Sequence, residues 1–284
     1  MTAVKVTPDM VKELRERTGV GMGKCKEALD QAQGDMERAI DILRKAGMAS
    51  AVKREGRETK EGIIGYADSK DAIALVEVNA ETDFVTQNDK FKEFVRTIAS
   101  QAAETKPTSL EAFLNEKSRK DPTVTVYQYR ALVVQSLGEN IKIKRLEIFR
   151  KSPQISIGLY SHMGGKIVTM VELEGGDGLE AFARDIAMHV AAESPDYLKR
   201  EEVPAAVKAR EEEIARSQVQ GKPANIVDKI VSGKIKAFTD QVCLINQKYI
   251  KDNSLTIQQY LDAVAKKIGK PLSIRCFWRW KVGQ

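Results

Sequence analysis

Apolar positions recur with two different periods along this chain, and the changes of period divide it. The period at the start is helical. Thr7-Pro8-Asp9 offers an N-cap, a first-turn proline and an acidic first turn, and Met10, Val11 and Leu14 follow at helical spacing. Thr18-Gly-Val-Gly-Met-Gly23 interrupts that helix. A second runs from Lys24 through Ala28 and Leu29 to about Gln33, where Gly34 is placed to take a left-handed closing position. Asp35 caps a third, with Met36, Ile40 and Leu43 on one face, which the pattern ends at Gly47. Residues 1–47 thus predict three short helices around one small apolar cluster. Residues 48–61 lose periodicity and carry Lys53, Arg54, Arg57 and Lys60, the pattern of a solvated basic linker.

From Gly62 the period changes to that of strands. Gly62-Ile-Ile-Gly-Tyr66 and Ile73–Val78 flank Asp68-Ser-Lys-Asp71, a hairpin signal, and a helix with Phe91, Phe94, Val95 and Ile98 on one face follows. Pro107 and Pro122 bracket a helical stretch through Leu110, Phe113 and Leu114. Another helix, Val126 to Leu137, closes at Gly138, and Asn140 to Phe149 alternates as a half-buried strand. A second region, residues 151–284, opens with a strand at Ser156–Tyr160, a turn at Ser161-His-Met-Gly-Gly165, a strand at Lys166–Leu173 and a helix at Leu179–Glu193. Two charged helices, Pro204–Val219 and Asn225–Leu244, then meet at Gln220-Gly-Lys-Pro223. Val207 with Ile214, and Ile235 with Val242, lie a heptad apart, with Ile230 and Phe238 on neighbouring turns, which predicts a helical hairpin over about 204–244. A helix at Thr256–Ile268 and a strand at Pro271–Trp280 close the chain, with Leu272, Ile274, Cys276, Trp278 and Trp280 on one face of that strand. The fold class is α+β.

The two strand-rich regions, 62–150 and 151–284, repeat one another. Ile73-Ala-Leu-Val-Glu-Val78 matches Ile167-Val-Thr-Met-Val-Glu-Leu173 with Glu77 over Glu172, and Phe94-Val-Arg-Thr-Ile98 matches Phe182-Ala-Arg-Asp-Ile186. From Glu77 to Phe94 is 17 positions, from Glu172 to Phe182 only 10, so the first copy carries seven extra residues around Glu81-Thr-Asp-Phe-Val-Thr-Gln-Asn-Asp89. The second copy connects the same elements with Glu174-Gly-Gly-Asp-Gly178. Loop beyond the structural minimum is where function concentrates. This one sets Phe84 beside Asp83 in a polar turn, as if to enter another molecule. The scaffold itself is expected not to need it.

Composition narrows the class. At 284 residues, with 42% hydrophobic and 30% charged positions, the chain can build two or three cored domains. The net charge of +6 comes from 46 basic residues interleaved among 40 acidic ones, without a basic block of the kind that binds nucleic acid. Met1-Thr-Ala-Val-Lys-Val runs straight into a helix start without a signal segment, and no apolar run approaches the roughly 20 residues of a membrane span. Cys25, Cys243 and Cys276 are odd in number and far apart, so they read as reduced thiols, consistent with a cytoplasmic location. His162 and His189 have no metal-ligand spacing, and a satisfied core role is expected for His189. Neither a phosphate-binding glycine loop nor a nucleophile arrangement is present, because Gly23-Lys24 lacks the glycine five positions earlier. The sequence therefore describes a binding protein without catalytic residues, cofactor, metal or direct nucleotide binding. A ribosome- or RNA-associated role is the alternative, resting on the basic linker and the net charge.

Three short helices in residues 1–47 have the shape of a ubiquitin-associated-like, partner-binding module. Several further stretches carry a wider resemblance: Val11-Lys-Glu-Leu-Arg-Glu-Arg-Thr-Gly19 with Gly21-Met22, Glu77-Val-Asn79 with Thr82-Asp-Phe-Val85, Gly138-Glu-Asn-Ile141, and Ile186-Ala-Met-His-Val-Ala-Ala192. Spread over almost the whole length, they resemble the bacterial translation elongation factor Ts family. The resemblance implies guanine-nucleotide exchange on elongation factor Tu, through a loop that enters the partner's GTPase domain and helps dislodge magnesium from bound GDP. That loop corresponds to Thr82, Asp83, Phe84 and Val85. The resemblance also implies contact of Arg15 and Met22 with the same domain, a further contact through His162, and a core of two related antiparallel-sheet subdomains with an inserted helical hairpin. Two positions depart from the family pattern. Gly23 stands where many members have a second methionine, and the sequence ends at Gln284 directly after the last predicted strand, where some members continue into a terminal helical module.

Overall fold

The structure is a computed structural model that describes residues 5–219 and 223–284. The lead-in Met1–Val4 and the hairpin joint at Gln220, Gly221 and Lys222 lie outside the described residues. The chain forms two compact units. One comprises Met1–Arg150 with Gly164–Lys166 and Lys281–Gln284, the other Lys151–Met163 with Ile167–Trp280.

The first unit opens with helices α1 (Pro8–Thr18), α2 (Met22–Gln31) and α3 (Met36–Arg54). The Thr7 side chain caps α1 by accepting from Met10 N–H, Asp35 caps α3 through Arg38 N–H, and Gly19 takes a left-handed turn with φ 70° at the end of α1. Leu14, Val20, Cys25, Leu29, Ile40 and Leu43 form their apolar cluster. The expected stop at Gly47 does not occur: α3 continues to Arg54, so the first seven residues assigned to the linker are helical. Gly47 is there for close approach. A Cβ on it would lie 3.3 Å from Gln135 Oε1 and 3.4 Å from Ala131 O and Leu132 Cδ2, on the helix against which α3 packs. One turn on, Ala51 is buried in the main core of the unit, with Met48 packed against it.

That core covers a three-stranded antiparallel sheet of order β1-β2-β3, with β1 Glu61–Asp68, β2 Ala72–Ala80 and β3 Ile141–Arg150. The central strand β2 is buried along its whole length. Between β2 and β3 come α4 (Asp83–Gln87), α5 (Asp89–Thr105), α6 (Leu110–Asn115) and α7 (Val126–Leu137). Phe91, Phe94, Val95 and Ile98 of α5 lie in the core under the sheet.

The second unit repeats this plan with β4 (Ile155–His162), β5 (Ile167–Glu174), α8 (Glu180–Glu193), α9 (Ala205–Ser217), α10 (Ala224–Val242), β6 (Lys248–Tyr249), β7 (Asp252–Thr256), α11 (Ile257–Ile268) and β8 (Ser273–Lys281). Its sheet order is β4-β5-β8, and α8 packs on β4 and β5. The repeat is deeper than the strand-helix match that reveals it. Gly65 pairs with Val76, one residue before Glu77, and Gly158 pairs with Val171, one before Glu172. Each glycine lets the helix approach the sheet: an added Cβ would lie 2.3 Å from Val95 Cγ1 at Gly65 and 2.0 Å from the backbone nitrogen of Arg184 at Gly158. Both α7 and α11 start with a threonine–glutamine capping box, Thr125 with Gln128 and Thr256 with Gln259, and end at a left-handed glycine, Gly138 and Gly269. Tyr129 of α7 meets Phe94 edge-on at 5.3 Å between ring centroids, and Tyr260 of α11 meets Phe182 in the same way at 4.9 Å.

Three local expectations are corrected. In the helical hairpin the apolar cluster among the described residues is Ala215, Val219 and Val231, with Val227, Ile230 and Ile235 beside them, whereas Ile214 is exposed. The seam thus keeps Ile230 and Ile235 of the expected set and adds Ala215, Val219, Val227 and Val231, with Ile214 facing outward. The α10 helix stops at Val242, and the short antiparallel pair β6–β7 follows. Along β8 only Ile274 and Trp280 of the expected face are buried, while Cys276 and Trp278 are half-exposed. No helix among the described residues is long and apolar enough to cross a membrane.

Candidate functional site

The extra residues of the first copy fold into a five-residue helix, α4, rather than an open loop. Thr82 starts it: its Oγ1 accepts from Val85 N–H at 3.4 Å, and Thr86 Oγ1 donates to Asp83 O at 2.8 Å. Asn88 then caps α5 by accepting from Lys90 N–H at 2.9 Å, so the chain turns from one helix into the next without slack. Two neighbours in sequence point in opposite directions. Val85 is 9% exposed and belongs to the core, whereas Phe84 is 84% exposed, the most exposed of the large apolar side chains among the described residues. Asp83 beside it is exposed as well. A short helix with one face anchored and an aromatic ring on the other presents that ring rigidly.

The base of α4 is held by charged hydrogen bonds from two other segments. The backbone N–H of Thr82 donates to Glu139 Oε2 at 3.0 Å, and its hydroxyl donates to Glu139 Oε1 at 2.6 Å. Glu81 Oε1 accepts from Asn140 N–H at 2.6 Å and faces Arg57 Nη1 at 3.4 Å. The buried Asn140 side chain in turn donates to the carbonyls of Arg57, at 2.9 Å, and Glu55, at 3.4 Å. Arg54 Nε donates to Gly138 O at 2.9 Å. Sequence reasoning gave Glu81, Glu139, Asn140 and Arg57 no role. The available signal was the family-like string Gly138-Glu-Asn-Ile141, which becomes meaningful once it is seen to face Glu81 and Thr82.

Arg15 and Met22 lie on the N-terminal helices of the same unit. Arg15 is exposed on α1, and Met22, 59% exposed, is the first residue of α2. The turn between these helices is fixed to the core. Lys90 Nζ donates to Gly19 O at 2.7 Å and to Ser136 Oγ at 3.1 Å, and Ser136 Oγ also donates to Gly19 O at 2.8 Å. Lys90 stands in the first turn of α5, three residues after α4, so the turn that carries Met22 is tied close to the Phe84 helix.

His162 belongs to the second unit. It is exposed at the end of β4, its ring stacked on Tyr160 with centroids 5.9 Å apart and Nδ1 3.1 Å from the Tyr160 hydroxyl. His189 has the satisfied core role expected of it. It is fully buried, its Nε2 lies 3.0 Å from Gln247 Oε1, and its Nδ1 accepts from Ile250 N–H at 3.4 Å. Burial holds its pKa below the usual histidine value. Cys276 donates to Glu172 Oε2 at 3.3 Å, and burial together with that carboxylate pushes its thiol up to about 12. The three cysteines are free, and no group of three or more His, Cys, Asp or Glu among the described residues is arranged to hold a metal.

Comparison with known proteins shows the family. The family described as Elongation factor TS matches residues 81–284. Elongation factor Ts of Protochlamydia amoebophila (strain UWE25) is 61% identical over 279 residues, covering 98% of this chain and 99% of that protein. Elongation factor Ts of Chlamydia muridarum is 45% identical over 275 residues, covering 97% of this chain and 98% of that one, and that of Chlamydia pneumoniae is 44% identical over the same span. With a family match that starts at Glu81, at the base of the Phe84 helix, and relatives matched along nearly their whole length, the chain belongs to the elongation factor Ts family of translation elongation factors.

Proposed function

We propose that this protein is a cytoplasmic guanine-nucleotide exchange factor that binds elongation factor Tu in its GDP state and promotes GDP release, so that GTP can be loaded. The observation that carries this reading is Phe84: a large apolar ring, 84% exposed, on a helix whose opposite face is buried and whose base is fixed by Glu139 and Asn140. The ring enters the partner's GTPase domain as a wedge, and Asp83 competes for groups around the magnesium and phosphate site. Arg15 and Met22 hold the same domain, and His162 makes a further contact. No covalent step is required. A protein that binds the nucleotide-free partner more tightly than the GDP-bound one must weaken GDP by the same factor, and couplings of about 1–3 kcal/mol change affinity roughly 5- to 150-fold.

The test is release of labelled GDP from the cognate elongation factor Tu. The protein should accelerate release, and Phe84→Ala should slow that acceleration by ~10- to 100-fold, the equivalent of ~1.4–2.8 kcal/mol, while much of the binding persists. Unchanged release kinetics in the variant would remove Phe84 from the mechanism. Absence of acceleration by the unaltered protein would remove the function.

A further inference from the structure

The duplication supplies an internal control for the Phe84 helix. In the first copy the turn after α7 reads Gly138-Glu139-Asn140 and leads into β3. In the second copy the equivalent turn after α11 reads Gly269-Lys270-Pro271 and leads to β8. The two helices share a capping box, a tyrosine against the core phenylalanine and a closing left-handed glycine. The scaffold therefore accepts either turn. Only the copy that carries the exposed helix carries the glutamate and asparagine, and in that copy both are engaged on the base of the helix. In the other copy the strand-to-helix connection meets this turn through a glycine instead: a Cβ on Gly175 would lie 2.1 Å from Pro271 O.

We infer that Glu139 and Asn140 are positioning residues for nucleotide exchange, which set the direction of the Phe84 helix and tie it to the end of α3. Thr82 is the point of action. Both of its donors go to one carboxylate, at 3.0 and 2.6 Å, and its hydroxyl also caps α4, so the first turn of the helix cannot rotate without breaking these bonds. Asn140 extends the connection. Its backbone N–H holds Glu81, and its side-chain amide holds the carbonyls of Glu55 and Arg57 just beyond α3. Arg54 fastens the last turn of α3 to Gly138 O, one residue before Glu139. The same three-helix segment carries Arg15 and Met22, so partner contacts made there and the thrust of Phe84 are referred to one rigid node. Binding energy from the N-terminal helices can then be spent on driving the ring into the partner rather than lost in a swinging helix.

This inference rests on the proposed exchange reaction, and its test separates the two. Glu139→Gln keeps the shape and an acceptor for the Thr82 hydroxyl, but it gives Thr82 N–H no second carboxylate oxygen. Thr82→Val removes the hydroxyl from the other side, and Thr82→Ser should restore what Thr82→Val loses. GDP release is measured over a range of exchange-factor concentrations, to separate the rate at saturation from the concentration of half-effect, with melting followed on the same preparations. The expected result is a ~5- to 20-fold lower saturating rate for Glu139→Gln and for Thr82→Val, little change in the half-effect concentration, and a double variant no slower than either single one. A saturating rate left intact in both, in proteins that fold normally, overturns the inference while Phe84→Ala still reports on the exchange reading. A rise in the half-effect concentration with an unchanged saturating rate also overturns it, since that is the signature of lost docking rather than of lost aim.

Discussion

Excising the Phe84 helix should cost far more stability than its place in an extra loop suggests. The perturbation is replacement of Glu81 to Asp89 by a short turn like Glu174-Gly-Gly-Asp-Gly178. On sequence grounds the scaffold is indifferent to the change, since only Phe84 and Val85 in the segment are apolar. In the structure Val85 is 9% exposed within the main core, and burying a valine is worth about 1.5–3 kcal/mol. The charged bonds from Glu81 to Asn140 N–H and from Thr82 to Glu139 disappear too, and hydrogen bonds to charged groups are worth about 1.5–3 kcal/mol. Counting that network once, the loss is about 3–6 kcal/mol. For a body of this size each kcal/mol moves the melting temperature by about 2–4 °C, so a drop of roughly 6–24 °C is expected. Phe84→Ala is the contrasting variant: its ring makes little contact in the free protein, so its stability should change by no more than about 0.5 kcal/mol. Circular dichroism melts of the two variants beside the unaltered protein decide the matter. An excised variant that melts within two or three degrees of the original would refute the reasoning and return the segment to the status of a spacer.

Two further outcomes follow from the same structure. A chain beginning at Glu61 loses Met48 and Ala51 from the first core and uncovers the α7 surface under Gly47, so it should melt lower by at least about 4–8 °C, corresponding to ~2 kcal/mol or more of lost burial, besides binding the partner more weakly; an unshifted melt in differential scanning calorimetry would show that α3 is not part of that core. His189 is held neutral by burial, with its pKa below 6.5, so the folded protein binds fewer protons than the unfolded chain; its contribution is complete above about pH 6.5 and is lost as pH falls below that toward the folded pKa, and urea unfolding at pH 7.5 and 5.5 should show a loss at the lower pH that is smaller in His189→Gln.

Long periodic elements were legible in the sequence because a single local pattern decides them. The α7 helix has an apolar run and a closing Gly138, and its observed bounds, Val126–Leu137, are the ones that pattern predicts. What escaped was decided by tertiary contact. The α4 helix is too short to display a period, and Val85, Thr82 and the distant Glu139 hold it. Gly47 carries the usual mark of a helix stop, yet its missing side chain is used to seat α3 on α7. Seven further residues of helix, with Ala51 in the core, follow from that contact. The seam of the hairpin kept Ile230 and Ile235 but took Ala215 and Val219 in place of Ile214, because the way the two helices meet, not a heptad count on each alone, decides which positions are covered. The extra residues of the first copy marked the candidate site from sequence alone. The clamp on that site did not, since nothing local in Glu139 or Asn140 distinguishes a helix-end turn from a positioning device.

The repeat separates scaffold from function within one chain. Residues found at corresponding places in both copies, Gly65 with Gly158, Phe94 with Phe182 and Tyr129 with Tyr260, do the same physical task twice: they bring a helix onto a sheet and lock the closing helix against it. Each unit needs that task done, whatever the protein binds. Residues found in one copy alone carry no such duty. Phe84, Thr82, Glu139 and Asn140 are in this second group, and so is the α9–α10 hairpin, which the first copy lacks. Gly158 should therefore tolerate no side chain, because the backbone of α8 already fills the space to within 2.0 Å, whereas Glu139 can lose its charge and leave the sheet beneath it intact. On the proposed exchange mechanism, the core of the first unit supplies the support on which the Phe84 helix is set.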